Sequence, residues 1–191
     1  MGTTEPIRDK ETLRRFRNYY RDEEPNKRNW LLIVAGLNTA LRISDILSLK
    51  WSDVYDFKRK RIRDRIRLRE LKTGKSQNIV INKSLKEAIR TILKDIPISE
   101  PDRFIFTGYS DRPMNRSTAY RIVRRVATAL DLPGNISCHS LRKTFGYHAW
   151  KQGAQPALLM DIYNHSSFRI TRRYLGIDQD DKDSLFYRNN L

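Results

Sequence analysis

The sequence predicts a mainly α-helical domain with a small antiparallel β-sheet, an α+β fold. The chain has 191 residues, a length that is typical of one domain. Through most of it, apolar residues recur every three or four positions, as on the buried side of helices. Residues 62–81 instead alternate with the two-residue period of strands. The predicted fold class follows from these two periods.

Three helices are predicted before the alternating stretch, over residues 10–21, 27–38 and 42–50. The second has a strongly apolar face, which predicts that it contributes to the core. That face is formed by Trp30, Leu31, Ile33, Val34 and Leu37. In the third helix, Arg42 and Asp45 lie three residues apart and therefore share one side.

The alternating stretch predicts an antiparallel hairpin. Its first strand, residues 62–71, places arginines on one face and apolar residues on the other, and its second strand is residues 77–81. Residues 72–75, Lys-Thr-Gly-Lys, form the turn, and residues 54–55 are candidates for a third strand. The basic face of the hairpin consists of Arg63, Arg65, Arg67 and Arg69.

Helices are predicted again after the hairpin. Their ranges are about 85–94, 117–130 and 138–152, followed by a helix with Pro156 in its first turn and another that ends near Gly176. Ser84, Ser137 and either Ser166 or Ser167 are predicted N-caps. A serine hydroxyl suits this place because it accepts a hydrogen bond from the unpaired N–H groups of the first turn.

The charge balance indicates a polyanionic partner. Lys and Arg number 38 against 22 Asp and Glu, a formal net charge of +16. Nucleic acid is the first candidate and an anionic membrane surface the second, although no apolar run approaches the ~18 residues of a membrane span. The sequence starts without the apolar core of a secretory signal, and Cys138 is the single cysteine, so a reducing, cytoplasmic compartment is expected. The histidines and the cysteine lack ligand spacing, which predicts no metal site.

Four segments carry one feature each: in chain order, an arginine, a lysine, a His-x-x-Arg motif, and a histidine followed nine residues later by a tyrosine. They are residues 40–54 (ALRISDILSLKWSDV), 70–81 (ELKTGKSQNIVI), 139–150 (HSLRKTFGYHAW) and 164–176 (NHSSFRITRRYLG). In this joint order they resemble the boxes of the tyrosine recombinase, or phage integrase, family. The resemblance covers most of residues 30–176. It departs at Asn164, where the family usually has a glycine.

The resemblance implies that the reacting group is a DNA phosphate. Tyr174 is the implied nucleophile, and its phenol proton, with an ordinary pKa of about 10, must be removed during attack. His139 is the implied acceptor of that proton. Arg42 and Arg142 are implied to bind the non-bridging phosphate oxygens, since guanidinium groups match their charge and geometry.

Three further roles follow from the same resemblance. Lys72 is the implied general acid for the leaving 5′ oxygen, with Lys75 as the alternative. His165 is implied to donate a hydrogen bond to the phosphate, and Asp45 to orient its neighbours. The bond energy is kept in a 3′-phosphotyrosine, so no cofactor is expected.

The resemblance also implies a domain organisation and partners. Residues 1–176 are expected to form a single catalytic domain, with N-terminal helices over 1–39 in place of a separate core-binding domain. The chain is then a compact member, similar to the bacterial fimbrial phase-switch invertases. Residues 177–191 form a tail that is a candidate for docking into a neighbouring subunit.

Double-stranded DNA is the expected partner. The candidate DNA contacts are Arg63, Arg65, Arg67, Arg69, Lys75, Arg121, Arg124 and Arg125. Activity is expected from a tetramer on paired sites, with a monomer or weak oligomer in the absence of DNA. We also expect accessory DNA-bending proteins as partners and a location at the nucleoid.

Other interpretations remain open at the level of the sequence. The chain could be a type IB topoisomerase-like enzyme, a DNA-binding regulator with a relict site, or a module that binds RNA or a membrane surface by charge alone. Taken singly, Tyr174 could be a packing residue, and Arg42 could be a structural ion-pair partner of Asp45. The basic hairpin could be no more than a solvated face.

Overall fold

The computed structural model describes residues 4–94, 100–108, 111–177 and 186–189. The helices are α1 Lys10–Asp22, α2 Lys27–Thr39, α3 Ile43–Leu47, α4 Trp51–Val54, α5 Lys83–Leu93, α6 Arg116–Ala129, α7 Cys138–Lys151, α8 Pro156–Tyr163 and α9 Phe168–Leu175. The strands are β1 Tyr55–Asp56, β2 Arg61–Ile62, β3 Arg65–Arg69 and β4 Ser76–Val80. The predicted fold class, mainly helical with small antiparallel sheets, is confirmed.

The central element is α2, which α1, α5 and α7 surround. The sequence predicted one apolar face, but the helix is buried on almost every side from Asn29 to Leu37. This follows from its composition, since a helix that is apolar all round is stable only where neighbours cover it completely. The main core therefore forms around α2 and extends to the hairpin through Ile66.

The sheet differs from the prediction in one respect. Strands β3 and β4 pair antiparallel, from Arg65 opposite Val80 to Arg69 opposite Ser76, as predicted. Residues 54–55, however, do not add a third strand to this hairpin. Val54 ends α4, and Tyr55 pairs with Ile62 in a separate two-stranded sheet. The predicted strand 62–71 is therefore interrupted between β2 and β3, where the backbone N–H of Arg63 donates to the carbonyl of Val54.

Two predicted helix boundaries were wrong. The helix predicted over residues 42–50 is shorter, because Arg42 stands before α3 as its N-cap residue and the chain turns at Ser48 into α4. The cap of α5 is Asn82, whose side-chain oxygen accepts from the N–H of Leu85 at 3.0 Å. Ser84 lies inside the first turn. Asn82 holds the cap because it combines extended backbone angles with a short acceptor side chain.

The last three helices form a second, smaller apolar cluster beside the main core. Ser137 caps α7 and Pro156 is in the first turn of α8, as the sequence predicted, and of the two candidate caps of α9 the structure selects Ser167. The buried members of the cluster are Ala40, Leu159, Tyr163, Leu175 and Ile177, with Tyr174 packed against them. This cluster fixes the helix that carries Tyr174 against the helix that carries His139 and Arg142.

The predicted tail falls largely outside the described residues, which lack 178–185 and 190–191. Between these gaps, residues 186–188 form one helical turn on which Phe186 and Tyr187 are exposed. Among the described residues, no helix has both the length and the apolar character that crossing a membrane requires.

Gly36 provides a test of the close approach between α2 and α7. A Cβ atom at this position would lie 2.5 Å from Cδ1 of Leu141. We expect Gly36→Ala to lower the free energy of unfolding by about 1–3 kcal/mol, the usual cost of overpacking a core. In a Leu141→Ala background the same change should cost clearly less, because Cδ1 and Cγ of Leu141 have been removed and only its Cβ, at 3.0 Å, remains close. Urea unfolding of the four chains measures the coupling, and equal costs in both backgrounds would contradict this packing.

Candidate active site

An ion pair between Arg42 and Glu70 joins the first arginine box to the hairpin. Nη1 of Arg42 lies 2.6 Å from Oε2 of Glu70, and the glutamate side chain is almost completely buried. The same carboxylate accepts from the hydroxyl of Thr73 and, at 3.1 Å, from the amide of Gln77. Glu70 thus binds the arginine and both sides of the hairpin turn.

Asp45 is not the ion-pair partner of Arg42, although the sequence left that interpretation open. It is fully buried, and its Oδ1 accepts from the backbone N–H of Leu71 at 2.9 Å. No donor in the described part of the chain reaches its Oδ2. Asp45 therefore fixes the backbone of the hairpin one residue before Lys72, a contact that fits the orienting role implied for it.

The carboxylate of Glu70 stays ionised despite its burial. Burial alone would raise the pKa of Glu70, but hydrogen bonds from Thr73 and Arg42 and the charges of Arg42 and Arg142 outweigh it. The result is a pKa below the ordinary 4.5. A permanent negative charge therefore stands beside the two arginines and reduces their mutual repulsion.

Arg142 is a buried cation with an unused donor. Only 4% of its surface is exposed, and its guanidinium lies 4.9 Å from the ring centroid of Tyr163. Its Nη2 donates a long bond, 3.5 Å, to the carbonyl of Tyr163, whereas Nη1 has no partner among the described residues. Burial lowers the pKa of Arg142, yet an arginine remains protonated in a protein. A desolvated cation with an open donor is the arrangement that binds an anion.

The phenol of Tyr174 lies in the same pocket. Its ring is 5.3 Å from that of Tyr163 and 5.2 Å, edge to face, from that of His165. Burial raises the pKa of Tyr174, and the charges of Arg142 and Arg42 partly oppose this rise. The hydroxyl is thus protonated at neutral pH, and the charges of both guanidinium groups act on it.

His165 is held between the two tyrosines. Its ring stacks on Tyr163 at 5.6 Å, and its Nδ1 lies 3.1 Å from the hydroxyl of the buried Thr171. When the threonine donates to Nδ1, the Nε2–H group is free to donate to a ligand. The turn before it is kept by Asn164, which adopts the left-handed conformation with φ 55°. Asparagine tolerates this region better than other residues with a side chain, so the glycine that is usual in the family is not required.

His139 lies in the first turn of α7, three residues before Arg142, so both side chains are on one face. Its imidazole is exposed and, within the described residues, makes no hydrogen bond to Tyr174. The pKa of His139 is lowered, first by nearby atoms that exclude water and then by the charges of Arg142, Lys143, Arg42 and Lys72. These cations therefore converge on His139, which is neutral and able to accept a proton at neutral pH.

The two lysines of the hairpin turn have different surroundings. Nζ of Lys75 lies 2.6 Å from Oδ1 of Asp161 in α8. Lys72 is exposed, and its charge reaches His139. The structure thus brings Lys72 toward the pocket, whereas Lys75 fastens the hairpin to α8.

The candidate DNA-contacting arginines are on two surfaces. Those of the hairpin are exposed, and Arg63, Arg65 and Arg67 line a cleft of about 360 Å³ together with Arg59 and Arg61. On α6, Arg121 is exposed, Arg124 donates to the carbonyl of Ile136 at 3.3 Å, and Arg125 pairs with Glu24 at 2.7 Å. Arg124 and Arg125 thus have structural partners within the fold. Their contact with DNA stays a prediction, as it does for the hairpin arginines.

Glu70, Tyr163, Thr171 and Lys143 contact residues of this pocket, and the sequence did not predict them. Of these, Glu70 was the one that a pattern in the sequence could have revealed. A signal for it was present, because Ile66, Leu68 and Glu70 alternate and so point to the inner face of the strand. A carboxylate on an inner face requires a buried partner.

The described residues contain no group of three or more histidine, cysteine, aspartate or glutamate side chains that could hold a metal ion.

Comparison with known proteins decides the family. A family model described as the phage integrase family matches residues 9–180. The probable integrase/recombinase YoeC of Bacillus subtilis (strain 168) is 41% identical over 181 residues, which are 94% of this chain and 93% of that protein. The chain belongs to the phage integrase family. The prediction of a tyrosine-type site-specific recombinase is thereby confirmed at the level of family and reaction class.

Other members of the family are more distant. The tyrosine recombinase XerC of Pediococcus pentosaceus is 26% identical over 90% of this chain, which spans only 58% of the XerC length. The crystal structure of XerA recombinase superposes with a TM-score of 0.78 at 16% identity, covering 100% of this chain and 67% of that one. The structure of the Tn1549 transposon integrase in complex with a circular intermediate DNA superposes with a TM-score of 0.70 at 22% identity. The match covers 91% of this chain and 62% of that one. At these identities the two structures support the fold alone.

The lowered pKa of His139 leads to an expected pH profile. If His139 is the base, it acts in its neutral form. The cleavage rate should therefore fall only when the pH drops through the pKa that His139 has in the free protein, which lies below the ordinary 6.5. The measurement is kcat/KM for strand cleavage against pH, since this constant reports the free protein. In His139→Gln the acid limb should disappear along with most of the rate. An acid limb centred above 6.5 in the unaltered protein would show that the imidazole is not held neutral.

Proposed function

We propose that this protein cuts and rejoins duplex DNA at specific sites through a 3′-phosphotyrosyl intermediate formed by Tyr174. The observation that carries the proposal is the pocket in which the charges of two guanidinium groups act on this phenol, one of them with an open donor at Nη1 of Arg142. Tyr174, Arg42 and Arg142 are far apart in sequence, and the fold brings them together. A tyrosine with only a packing role would not require such a pocket.

Each group in the pocket has a role in the proposed step. Arg42 and Arg142 bind the non-bridging oxygens of the phosphate. Because a guanidinium has five N–H donors, Arg42 can do so while it keeps its bond to Glu70. The Tyr174 oxygen attacks phosphorus and transfers its proton to His139. The bond from phosphorus to the 5′ oxygen breaks, and that oxygen takes a proton from Lys72.

The reverse step rejoins the strand. A 5′ hydroxyl attacks the phosphotyrosine, the phenol leaves, and both protons return, so no cofactor enters the balance. In this scheme His165 donates from Nε2 to the phosphate, with Thr171 at its Nδ1. Asp45 and Glu70 hold the hairpin so that Lys72 is next to the pocket.

We also propose the partners and organisation of the active form. The partner is double-stranded DNA, in keeping with the net charge of +16 and with the DNA that the related Tn1549 integrase binds. The exposed hairpin arginines contact its backbone. A tetramer on two sites performs the exchange at the nucleoid, assisted by DNA-bending proteins and joined through the tail. Residues 1–176 form the catalytic unit.

Covalent trapping tests the proposed nucleophile. The probe is a pool of nicked duplexes with a randomised central segment, and sequencing of the trapped DNA gives the site. We expect an adduct from the unaltered protein and none from Tyr174→Phe, because the phenylalanine has no nucleophilic oxygen. Arg142→Ala should slow adduct formation about 100- to 1,000-fold, the usual loss for a donor to a developing oxyanion.

Tyr120→Phe is the matched control, since this tyrosine is exposed on α6. It should form the adduct at the rate of the unaltered protein. An adduct that persists in Tyr174→Phe would show that another residue attacks. DNA binding without any adduct would identify a binding protein, and relaxation of a supercoiled plasmid that carries a single site would indicate a topoisomerase.

A leaving-group substitution distinguishes Lys72 from Lys75. Lys72→Ala should slow cleavage of the ordinary duplex about 100-fold or more, because the 5′ oxygen then leaves without a proton. A duplex with sulfur in place of that 5′ oxygen should restore its rate, since a thiolate leaves unprotonated. Lys75→Ala should keep the sulfur-to-oxygen rate ratio of the unaltered protein. Restoration in Lys75→Ala and not in Lys72→Ala would reverse the assignment.

A further inference from the structure

Lys143 follows Arg142 on α7 and has no role in the scheme above, although its ammonium is next to the proposed nucleophile. The residue is only 4% exposed. Its Nζ donates to the backbone carbonyl of Thr4 at 2.6 Å and lies 5.1 Å from the ring centroid of Tyr174. The ammonium is therefore between the start of the chain and the face of the phenol ring.

Burying the Lys143 ammonium costs desolvation free energy, which contacts of the charged form must offset. Lys143 forms no ion pair within the described residues, and burial lowers its pKa, an effect that Glu5 opposes and Arg8 reinforces. An apolar side chain of the same length would fill the space without any desolvation cost. The face of a tyrosine ring attracts a cation, and the attraction increases when water is excluded. The ring of Tyr174 thus stabilises this ammonium together with the Thr4 carbonyl and the charge of Glu5.

The segment that holds the ammonium also joins the two catalytic helices. We call residues 4–8 the N-terminal strap. The N–H of Ile7 donates to the hydroxyl of Thr144 at 2.9 Å, and the carbonyl of Ile7 is 2.9 Å from Nε2 of His148, both on α7. At its other end, Nη2 of Arg8 donates to the carbonyl of Gly176 at 3.1 Å, directly after α9. The strap therefore links α7 to the end of the helix that carries Tyr174.

We propose that Lys143, held by the N-terminal strap, is a positioning residue that fixes the ring of Tyr174 for attack. The proposal rests on the function proposed above for Tyr174. α9 is only eight residues long, so contacts outside the helix must define where its phenol lies. The ammonium restrains the ring from its face, Tyr163 and His165 contact it as well, and the bond from Arg8 fixes the C-terminal end of the helix. An attacking oxygen that is misplaced by about 1 Å loses about 100-fold in rate, so this restraint matters to the chemistry.

Two substitutions of Lys143 separate the effect of its positive charge from the effect of its hydrogen bond to the Thr4 carbonyl. Lys143→Met removes both, whereas Lys143→Gln keeps an N–H donor for the Thr4 carbonyl. We expect both to lower the rate constant of adduct formation at saturating duplex about 10- to 100-fold, with unchanged DNA affinity because the buried ammonium faces the ring. Lys83→Met, an exposed lysine at the start of α5, is the control and should keep the full rate.

The rate constant and the affinity are measured on the duplex recovered by trapping, below the unfolding transition of every variant. A purely structural lysine would lower the unfolding temperature and leave the rate constant of the folded fraction unchanged, which would overturn the proposal. Full activity in Lys143→Gln would overturn the role of the cation.

Arg8→Ala tests the strap without altering the core, because the Arg8 side chain is exposed. It should lower the same rate constant about 2- to 10-fold, the range for one hydrogen bond. Arg15→Ala, an exposed arginine on α1, is the matched control and should show no loss.

Fluorine NMR gives a readout that needs no DNA. The chain is labelled with fluorotyrosine, and the Tyr174 signal is assigned by its absence in Tyr174→Phe. Lys143→Met and Lys143→Gln should shift and broaden this signal, while Lys83→Met should not. An unaltered signal would refute the positioning role even if the chain formed no adduct. An altered signal in a chain that forms no adduct would instead support the positioning and reject the proposed function.

Discussion

The ion pair between Arg42 and Glu70 is the contact on which the pocket depends. Arg42 and Arg142 are brought together where water is largely excluded, and two like charges repel strongly there. Glu70 offsets that repulsion from a buried position, and the same carboxylate binds Thr73 and Gln77 of the hairpin. Electrostatic balance and the position of the hairpin are therefore set by one side chain. Replacing the carboxylate would disturb both together.

The remaining titratable groups adapt to this excess of positive charge. Nearby atoms that exclude water, and then the neighbouring cations, lower the pKa of both His139 and His165, so the imidazoles add no further charge to the pocket at neutral pH. Burial raises the pKa of Tyr174, while the arginines favour its ionised form. The pocket is thus arranged for an anion before the anion arrives, which is the condition under which electrostatic stabilisation of a transition state requires no rearrangement.

Local patterns in the sequence predicted most of the helices, because their caps and apolar spacing are encoded within a few residues. Ser137, Pro156 and Ser167 show this. The errors arose where tertiary contacts decide the outcome. The strand predicted over 62–71 is interrupted because the N–H of Arg63 bonds to Val54.

For the pocket, the joint order of the motifs predicted which residues meet, and alternation along β3 could have predicted Glu70. No local pattern could reveal Lys143, because its partners, Thr4 and Tyr174, lie 139 residues before it and about 30 after it along the chain. Arg124 and Arg125 likewise look free in the sequence, and their partners are visible only in the fold.

The second tyrosine of the pocket has a consequence for the selectivity of the nucleophile. The ring of Tyr163 is beside that of Tyr174, but its hydroxyl donates to the carbonyl of Arg142 at 2.7 Å and is fully buried. Burial also raises the pKa of Tyr163 well above its usual range. Its oxygen is thus committed to the backbone of α7 and cannot replace the reactive one. Although the two phenols share apolar surroundings, only that of Tyr174 is available to react. Chemical damage to Tyr174 could therefore not be compensated by Tyr163.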